Sequence, residues 1–490
     1  MLKTIAIATI IFSTFSHTIT FAKGTTMPIQ LSSDEQLFLD DTLIERAENI
    51  TRRVNPAQKL GAPILRADRP WEGGLALLFG TAMFDSSDAL YKMWYYCDGG
   101  HVAYAVSKDG LHWEKPELGV ISRDGQPTNL VIERSSFGHF YELFGVLKDE
   151  AEPDAARRYK MAFVSIQREY SGEHEGTHHR TQRRGLGVAA SPDGIHWTLE
   201  NDFASDDICD ISRFFRDERQ QRYVLYGRTK LMPENNDGRW RLWGWGRAVT
   251  RLESRDFLNW STGELVYAAE AFDPEGTEIY SMSVFPYAGG YVGLVQLFYG
   301  LPTQGNLDFQ LSFSRDGRQF TRVLPREPFI PEGKIGDWDR FNISLGNMPP
   351  VVVGDEFWFY YSGRTYRHGP YKGKDSGEKT GAIGLAKIKR GRFLSLEASF
   401  DSGRVVTKPL LLSGSKLLVN ANTAFGTLQV EVLDQTGNTL PGWRTRIQKS
   451  DGVDIPVIFD GGSLEQFAGQ PVRLRFTLIN AQLYGFRVQP

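Results

Sequence analysis

Acidic residues stand at four of five corresponding strand starts in this chain: Trp71-Glu72-Gly73, Ile208-Cys209-Asp210, Thr277-Glu278-Ile279 and Trp338-Asp339-Arg340, with Phe137-Gly138-His139 as the fifth. Asp and Glu together make up 59 of 490 residues, so four carboxylates in five windows exceed random placement. Two carboxylates on either side of a glycosidic bond are the minimal equipment for sugar hydrolysis: one protonates the leaving oxygen, the other attacks or activates water. Asp210 and Glu278 are the preferred acid and base pair, with Glu72 and Asp339 as the next candidates. Around them stand Arg228, Arg247, Arg340, His139 and His368, whose donors suit hydroxyls and anions, and Trp243 and Tyr280, whose faces suit sugar rings. Trp240, Trp245, Tyr287, Arg364 and Tyr366 extend the same set.

A repeat must position these residues. Ser-x-Asp-Gly-x-x-aromatic occurs at Ser107 to Trp113, Ser191 to Trp197 and Ser314 to Phe320, with a variant at Ser254 to Trp260 in which Phe257 replaces Gly. Asp-Gly accepts the positive φ of a tight hairpin turn, so the unit marks two antiparallel strands and is structural. Upstream of each copy lies an aromatic strand, as in Leu90 to Tyr96, Arg158 to Phe163 and Arg222 to Tyr226; Tyr291 to Phe298 and Glu356 to Tyr361 continue the series. Strand, turn, strand, loop, strand, Asp-Gly turn, strand, recurring about every 60 to 85 residues, predicts propeller blades. The fold expected is all-β, a five-bladed β-propeller over residues 28–402 whose fifth unit lacks its Asp-Gly turn. Short apolar runs between Gly, Asn and Asp turns over residues 403–490 predict a C-terminal β-sandwich.

Composition narrows the partners. Net charge is −3, from 56 basic and 59 acidic residues, which offers no global basic field for nucleic acid. Lys3, the apolar stretch Ile5 to Phe12 and the small-x-small site Thr20-Phe21-Ala22 read as a Sec signal peptide over residues 1–22, so the mature chain is expected to be exported, periplasmic or extracellular, with no membrane span. Cys97 and Cys209 are too few for a metal cluster, and their spacing leaves a bridge open. His174, His178 and His179 lack an acidic or Cys partner at ligand spacing, so neither metal nor cofactor is expected. The basic run His178 to Arg184 leaves an anionic sugar open as partner.

Leu37-Phe38-Leu39-Asp40-Asp41, Asn55-Pro56-Ala57 leading to Pro70-Trp71-Glu72, Tyr91-Lys92-Met93-Trp94-Tyr95, the Ser-x-Asp-Gly turns and Phe215-Arg216-Asp217 together resemble the five-bladed propeller glycoside hydrolases of families thirty-two, forty-three and sixty-eight. The nearest likeness is to proteins similar to the family thirty-two N-terminal domain and to family forty-three. The resemblance implies acids on the first three blades, here Glu72 on the first, His139 or Glu142 at the second and Asp210 on the third. The Asn-Asp-Pro-Asn signature of fructan hydrolases is absent, and Phe215-Arg216-Asp217 lacks the Pro of the matching motif, so the resemblance stops short of fructose specificity. The function expected is an exported, exo-acting glycosidase of a plant or algal oligo- or polysaccharide. The alternatives are a non-catalytic glycan-binding propeller and a propeller lyase of anionic polysaccharide.

Overall fold

A computed structural model describes residues 27–168, 182–208, 210–230, 246–300, 305–347, 349–368 and 379–489. The expected signal peptide, Trp240, Trp243, Trp245, Cys209 and the three histidines 174, 178 and 179 lie outside the described residues. The molecule is all-β, a propeller joined to a sandwich. Five antiparallel sheets follow one another in sequence, with inner strands Ala76–Asp85, Phe140–Lys148, Ser212–Asp217, Thr277–Tyr287 and, in sheet 5, the pair Ser344–Leu345 and Val351–Val353. Each aromatic strand is the second of its sheet: Leu90–Cys97, Tyr159–Arg168, Arg222–Lys230, Gly290–Tyr299 and Glu356–Arg364.

Apolar clusters fill each gap between neighbouring sheets, and they close a ring. Trp94 and Met161 meet between sheets 1 and 2, Val164 and Leu225 between 2 and 3, Val224 and Val295 between 3 and 4, Phe285 and Phe359 between 4 and 5, and Tyr360 and Met93 between 5 and 1. The fifth sheet obtains its outer strands, Gln58–Lys59 and Leu65–Arg66, from the N-terminal part of the protein, both paired to Gly381–Lys389. That explains why the fifth unit has no Asp-Gly turn. A hairpin there would compete with the closing strands for the same sheet edge.

The Asp-Gly turns hold neighbouring sheets together. In each, the Ser Oγ accepts from the Gly N–H at 2.9 Å, and the Gly carbonyl accepts from an aromatic side chain of the adjoining sheet: Trp94 to Gly194 (2.6 Å), Tyr226 to Gly317 (2.6 Å) and Tyr360 to Gly110 (3.0 Å). At the same edge, where the inner strands finish, Asp85, Asp149 and Asp217 accept from Tyr159, Tyr223 and Tyr291 of the following sheet, each pair 74 residues apart.

The axis is closed at its foot. The Asn347 N–H donates to Gly80 O (2.7 Å) while its Oδ1 accepts from the Phe214 N–H (2.8 Å), and Arg213 Nε donates to Leu345 O (3.1 Å). Sheets 1, 3 and 5 are thereby bridged across the centre.

The sandwich recruits more than the C-terminal residues. One sheet runs Asp451–Val457, Lys416–Asn422, Ala481–Gln489, Leu394–Ala398 and Thr51–Val54, with Gln36–Leu37 beside it; the other runs Ile44–Glu48, Gly403–Thr407, Arg473–Ile479, Thr427–Leu433 and Thr439–Gln448. Phe38, Leu428, Phe476 and Phe486 lie in the core between them. The stretch expected as propeller therefore gives its first strands, up to Val54, and its last strand, Leu394–Ala398, to the sandwich. Alternating hydrophobicity marks these as strands but carries no information about which distant partner they join.

Candidate functional site

Irregular backbone at the heads of the inner strands builds the site. The pairing register shifts between Phe140 and Glu142 and again between Ile279 and Ser281, so Tyr141 and Tyr280 are extra residues that bend their strands. Such bulges re-aim neighbouring side chains, which is why they gather beside functional sites. Ile211, a β-branched residue held at φ 37°, turns the backbone from Asp210 into the inner strand of sheet 3. The ends of the second strands supply Arg228, Phe298 and Arg364, and the start of the third strand in sheet 3 supplies Arg247.

Glu142 is the carboxyl with the clearest chemical character. Its Oε1 is sealed from solvent with no hydrogen-bond partner among the described residues, while the residue as a whole keeps partial exposure. Burial, followed by the negative charge of Asp210, pushes its pKa up to about 7, against the opposing pull of Arg364, Arg228 and Arg213. Asp210 is ion-paired with Arg228, and Glu278 with Arg247. Arg228 lies over the Tyr280 ring at 4.8 Å and Arg247 over Phe298 at 4.8 Å. The Tyr280 hydroxyl shares a 2.6 Å hydrogen bond with His368 Nε2, and burial raises the phenol's pKa, so Tyr280 keeps its proton at neutral pH. Leu77, Phe79, Ile211, Phe298 and Leu307 surround this group with apolar surface. Three acidic side chains, Glu142, Asp210 and Glu278, thus converge with guanidinium groups and a tyrosine at the heads of the inner strands.

No family model matches the sequence, and no curated protein matches it. Solved structures do. A thermostable family-43 glycoside hydrolase is 10% identical over 70% of this protein and 96% of that one, with a TM-score of 0.44. An N-acetylgalactosamine deacetylase from F. plautii, in complex with blood group B trisaccharide, is 14% identical over 74% and 96%, with a TM-score of 0.43. The GH32 β-fructofuranosidase BmSUC1 of Bombyx mori is 11% identical over 89% and 95%, with a TM-score of 0.42.

Of the residues expected from sequence, the structure gathers Asp210, Glu278, Arg228, Arg247, Tyr280 and His368. It gives Glu72 and Asp339 other work. Glu72 is wholly buried and accepts from Tyr95 Oη (2.6 Å), the Asp68 and Arg69 N–H groups (both 2.8 Å) and Lys115 Nζ (2.8 Å), so both oxygens are saturated by the protein. Asp339, 3% exposed, accepts from Lys59 Nζ (2.7 Å) and Tyr361 Oη (2.8 Å) and ties the N-terminal strands to sheet 5. Both Glu72 oxygens are taken in this way, whereas both donors to Asp339 fall on its Oδ2. His139 is drawn aside by Asp202, which also accepts from Ser165, and its ring packs on Phe203. Arg340 donates to Gly333 O (3.4 Å) and stands 3.9 Å from Glu332. Tyr287, at the far end of its strand, donates to Glu35 beside the sandwich. Trp243 lies outside the described residues. Cys97 is a buried free thiol, and among the described residues no cluster of His, Cys, Asp or Glu is arranged to hold a metal ion.

Glu142 is the residue that sequence reasoning ranks too low, because the pattern sets the strand start three residues early, at His139. The available signal is a carboxylate inside the otherwise aromatic and aliphatic run Phe140-Tyr141-Glu142-Leu143-Phe144, where burial without a basic neighbour in sequence already implies a perturbed acid.

Proposed function

We propose that this protein is an exported glycosidase in which Glu142 is the general acid and Asp210 the partner carboxylate that attacks or activates water. What carries the reading is a carboxyl whose Oε1 is sealed from solvent without a hydrogen-bond partner among the described residues, its pKa pushed up to about 7 by burial and by the charge of the second carboxylate, Asp210. Glycosidic cleavage needs this division between a proton donor and an anionic partner. Glu278, locked to Arg247, serves to orient that guanidinium over Phe298 and Tyr280. Tyr280 and Phe298 offer aromatic faces to a sugar ring. An axis closed at its foot by Asn347 and Arg213 admits a chain end more readily than a chain middle, which supports exo action; the substrate we propose is an oligo- or polysaccharide of plant or algal origin. Export rests on the N-terminal leader, and no helix among the described residues is long and apolar enough to cross a membrane.

Release of reducing ends from a panel of plant and algal glycans tests the reading. Glu142→Gln and Asp210→Asn are expected to lower turnover by about 10²- to 10⁴-fold, as loss of general acid-base catalysis does. The wild-type rate should fall as pH rises through about 7, because the ionised Glu142 has no proton to give. One observation favours a second reading, a glycan-binding propeller without catalysis: Asp210 and Glu278 both have Arg partners. Binding across the panel with no reducing ends released by the wild type would select it.

A further inference from the structure

One guanidinium of the site lacks a carboxylate within ion-pair distance among the described residues. Arg228 is paired with Asp210 and Arg247 with Glu278. Arg213 is fully buried and donates to the carbonyls of Ser212 (2.8 Å) and Leu345 (3.1 Å). Arg364 is different. It ends the strand Glu356–Arg364, is 8% exposed, and has no Asp or Glu among the described residues within ion-pair distance; its guanidinium lies over the rings of Phe79 (5.0 Å) and Tyr366 (5.7 Å). Its charge is felt by both Glu142 and Tyr280, which places it beside the proposed acid.

Burying a cation without an anion is costly, and aromatic faces recover only part of that cost. Rings that cover the faces of a guanidinium leave its N–H edge for a planar or tetrahedral anion in the same plane. An anion of the protein would complete the pair permanently. Among the described residues none stands within ion-pair distance of Arg364, whose guanidinium contacts are the Phe79 and Tyr366 rings. We propose that the funnel selects a sugar bearing an acidic substituent, a carboxylate or a sulfate ester, and that Arg364 is the residue that grips it. The inference rests on the glycan reading above and adds the class of sugar. Phe79 then has a purpose in the site: the inner strand of sheet 1 contributes an aromatic support for Arg364 where a further acid would have repelled the ligand.

Calorimetric titration of the full-length protein at low salt with glucuronic acid, galactose 6-sulfate, glucose and galactose tests it. Each acidic probe that fits should bind about ten- to a hundred-fold more tightly than its neutral parent, the effect of a charge-assisted hydrogen bond. Preference for glucuronic acid alone identifies the carboxylate as the natural group, and preference for galactose 6-sulfate alone the sulfate. Arg364→Met should abolish the preference. Arg364→Lys, which keeps the charge but not the fork, should weaken it, and serves if the first variant does not fold. Equal affinities for acidic and neutral sugars, failure of both acidic probes to bind, or a preference unchanged in a folded Arg364 variant would overturn the proposal. Reducing-end release by the wild type, measured beside these titrations, separates the two readings: acidic preference with no glycan cleaved removes only the hydrolase, whereas cleavage of neutral glycans without acidic preference removes only the role of Arg364.

Discussion

Glu142 owes its proton to its surroundings, and the same surroundings make it a liability for folding. A carboxyl whose folded pKa lies at about 7 instead of 4.5 binds more protons in the native state than in the unfolded chain between those two values. Stability therefore declines as pH rises from about 4.5 to about 7, and the native protein carries the full penalty above that window. Replacing Glu142 by Gln removes the penalty. Urea titrations should show Glu142→Gln more stable than wild type at pH 8 with the difference vanishing at pH 4.5; a constant difference across this range would mean that the carboxyl titrates normally. Glu72 illustrates the opposite situation. Its place after Pro70-Trp71 and before Gly73 has the pattern of an inner-strand mouth, yet it folds as the last residue of a 3₁₀ turn, with its carboxylate satisfied by Tyr95, Lys115 and two backbone N–H groups. Sequence shows that an acid is present at a strand head; only the donors brought from residues 95 and 115 decide whether it is free to react.

The Asp-Gly hairpins were legible as turns because Ser, Asp and Gly each have a local hydrogen-bonding or conformational role there. Their second role, accepting from an aromatic of the adjoining sheet, was not legible, since Trp94 and Gly194 are separated by 100 residues. Once the fold is known, the repeat shows an exchange. Where the second strand carries Trp94, Tyr226 or Tyr360, the facing turn carries Gly; where sheet 2 has Ala162 at the corresponding place, the facing turn carries Phe257, which at φ 68° fills the cluster that Ala162 leaves short. The glycine is thus needed twice, for φ and for space. Gly194 and Gly74 share φ +79°, but a Cβ on Gly194 would stand 2.6 Å from Trp94 Cζ2, whereas none lies near Gly74. Gly74→Ala is expected to cost about 1–2 kcal/mol for the left-handed backbone alone. Gly194→Ala adds about 1–3 kcal/mol of overpacking, a difference that thermal melts of the pair would resolve. Tyr291→Phe should cost about 1–3 kcal/mol by leaving the buried Asp217 short of a donor at 2.6 Å.

At the scale of the whole molecule, the ring is closed by segments from its two ends, and this sets what can be removed without loss of function. Periodicity gave the number of strands and the repeated unit, but closure joins residues 58–66 to 381–389, a separation over which no local pattern acts. Lys59 marks the seam. Its Nζ donates to Pro331 O (2.9 Å) and Asp339 Oδ2 (2.7 Å), and Asp339 is almost fully buried. Lys59→Met leaves that carboxylate with Tyr361 as its remaining side-chain donor among the described residues, and breaking such a pair costs about 3 kcal/mol or more. Because no hydrogen bond or ion pair among the described residues joins Lys59 or Asp339 to Glu142 or Asp210, the expected outcome is a lower midpoint of unfolding with turnover per folded molecule retained. A large fall in kcat with unchanged stability would instead return Asp339 to the catalytic group. Closure should also govern cooperativity: a protein truncated after residue 402 leaves Leu394–Ala398 without its partner strand Ala481–Gln489, and Glu35, which accepts from Tyr287 of the propeller, without Asn420 of the sandwich. The truncated protein is expected to unfold over a broader range of denaturant than the full one, with a smaller slope, because the strands up to Val54 and Leu394–Ala398 lose the other strands of their sheets while the sheet-to-sheet clusters of the ring remain.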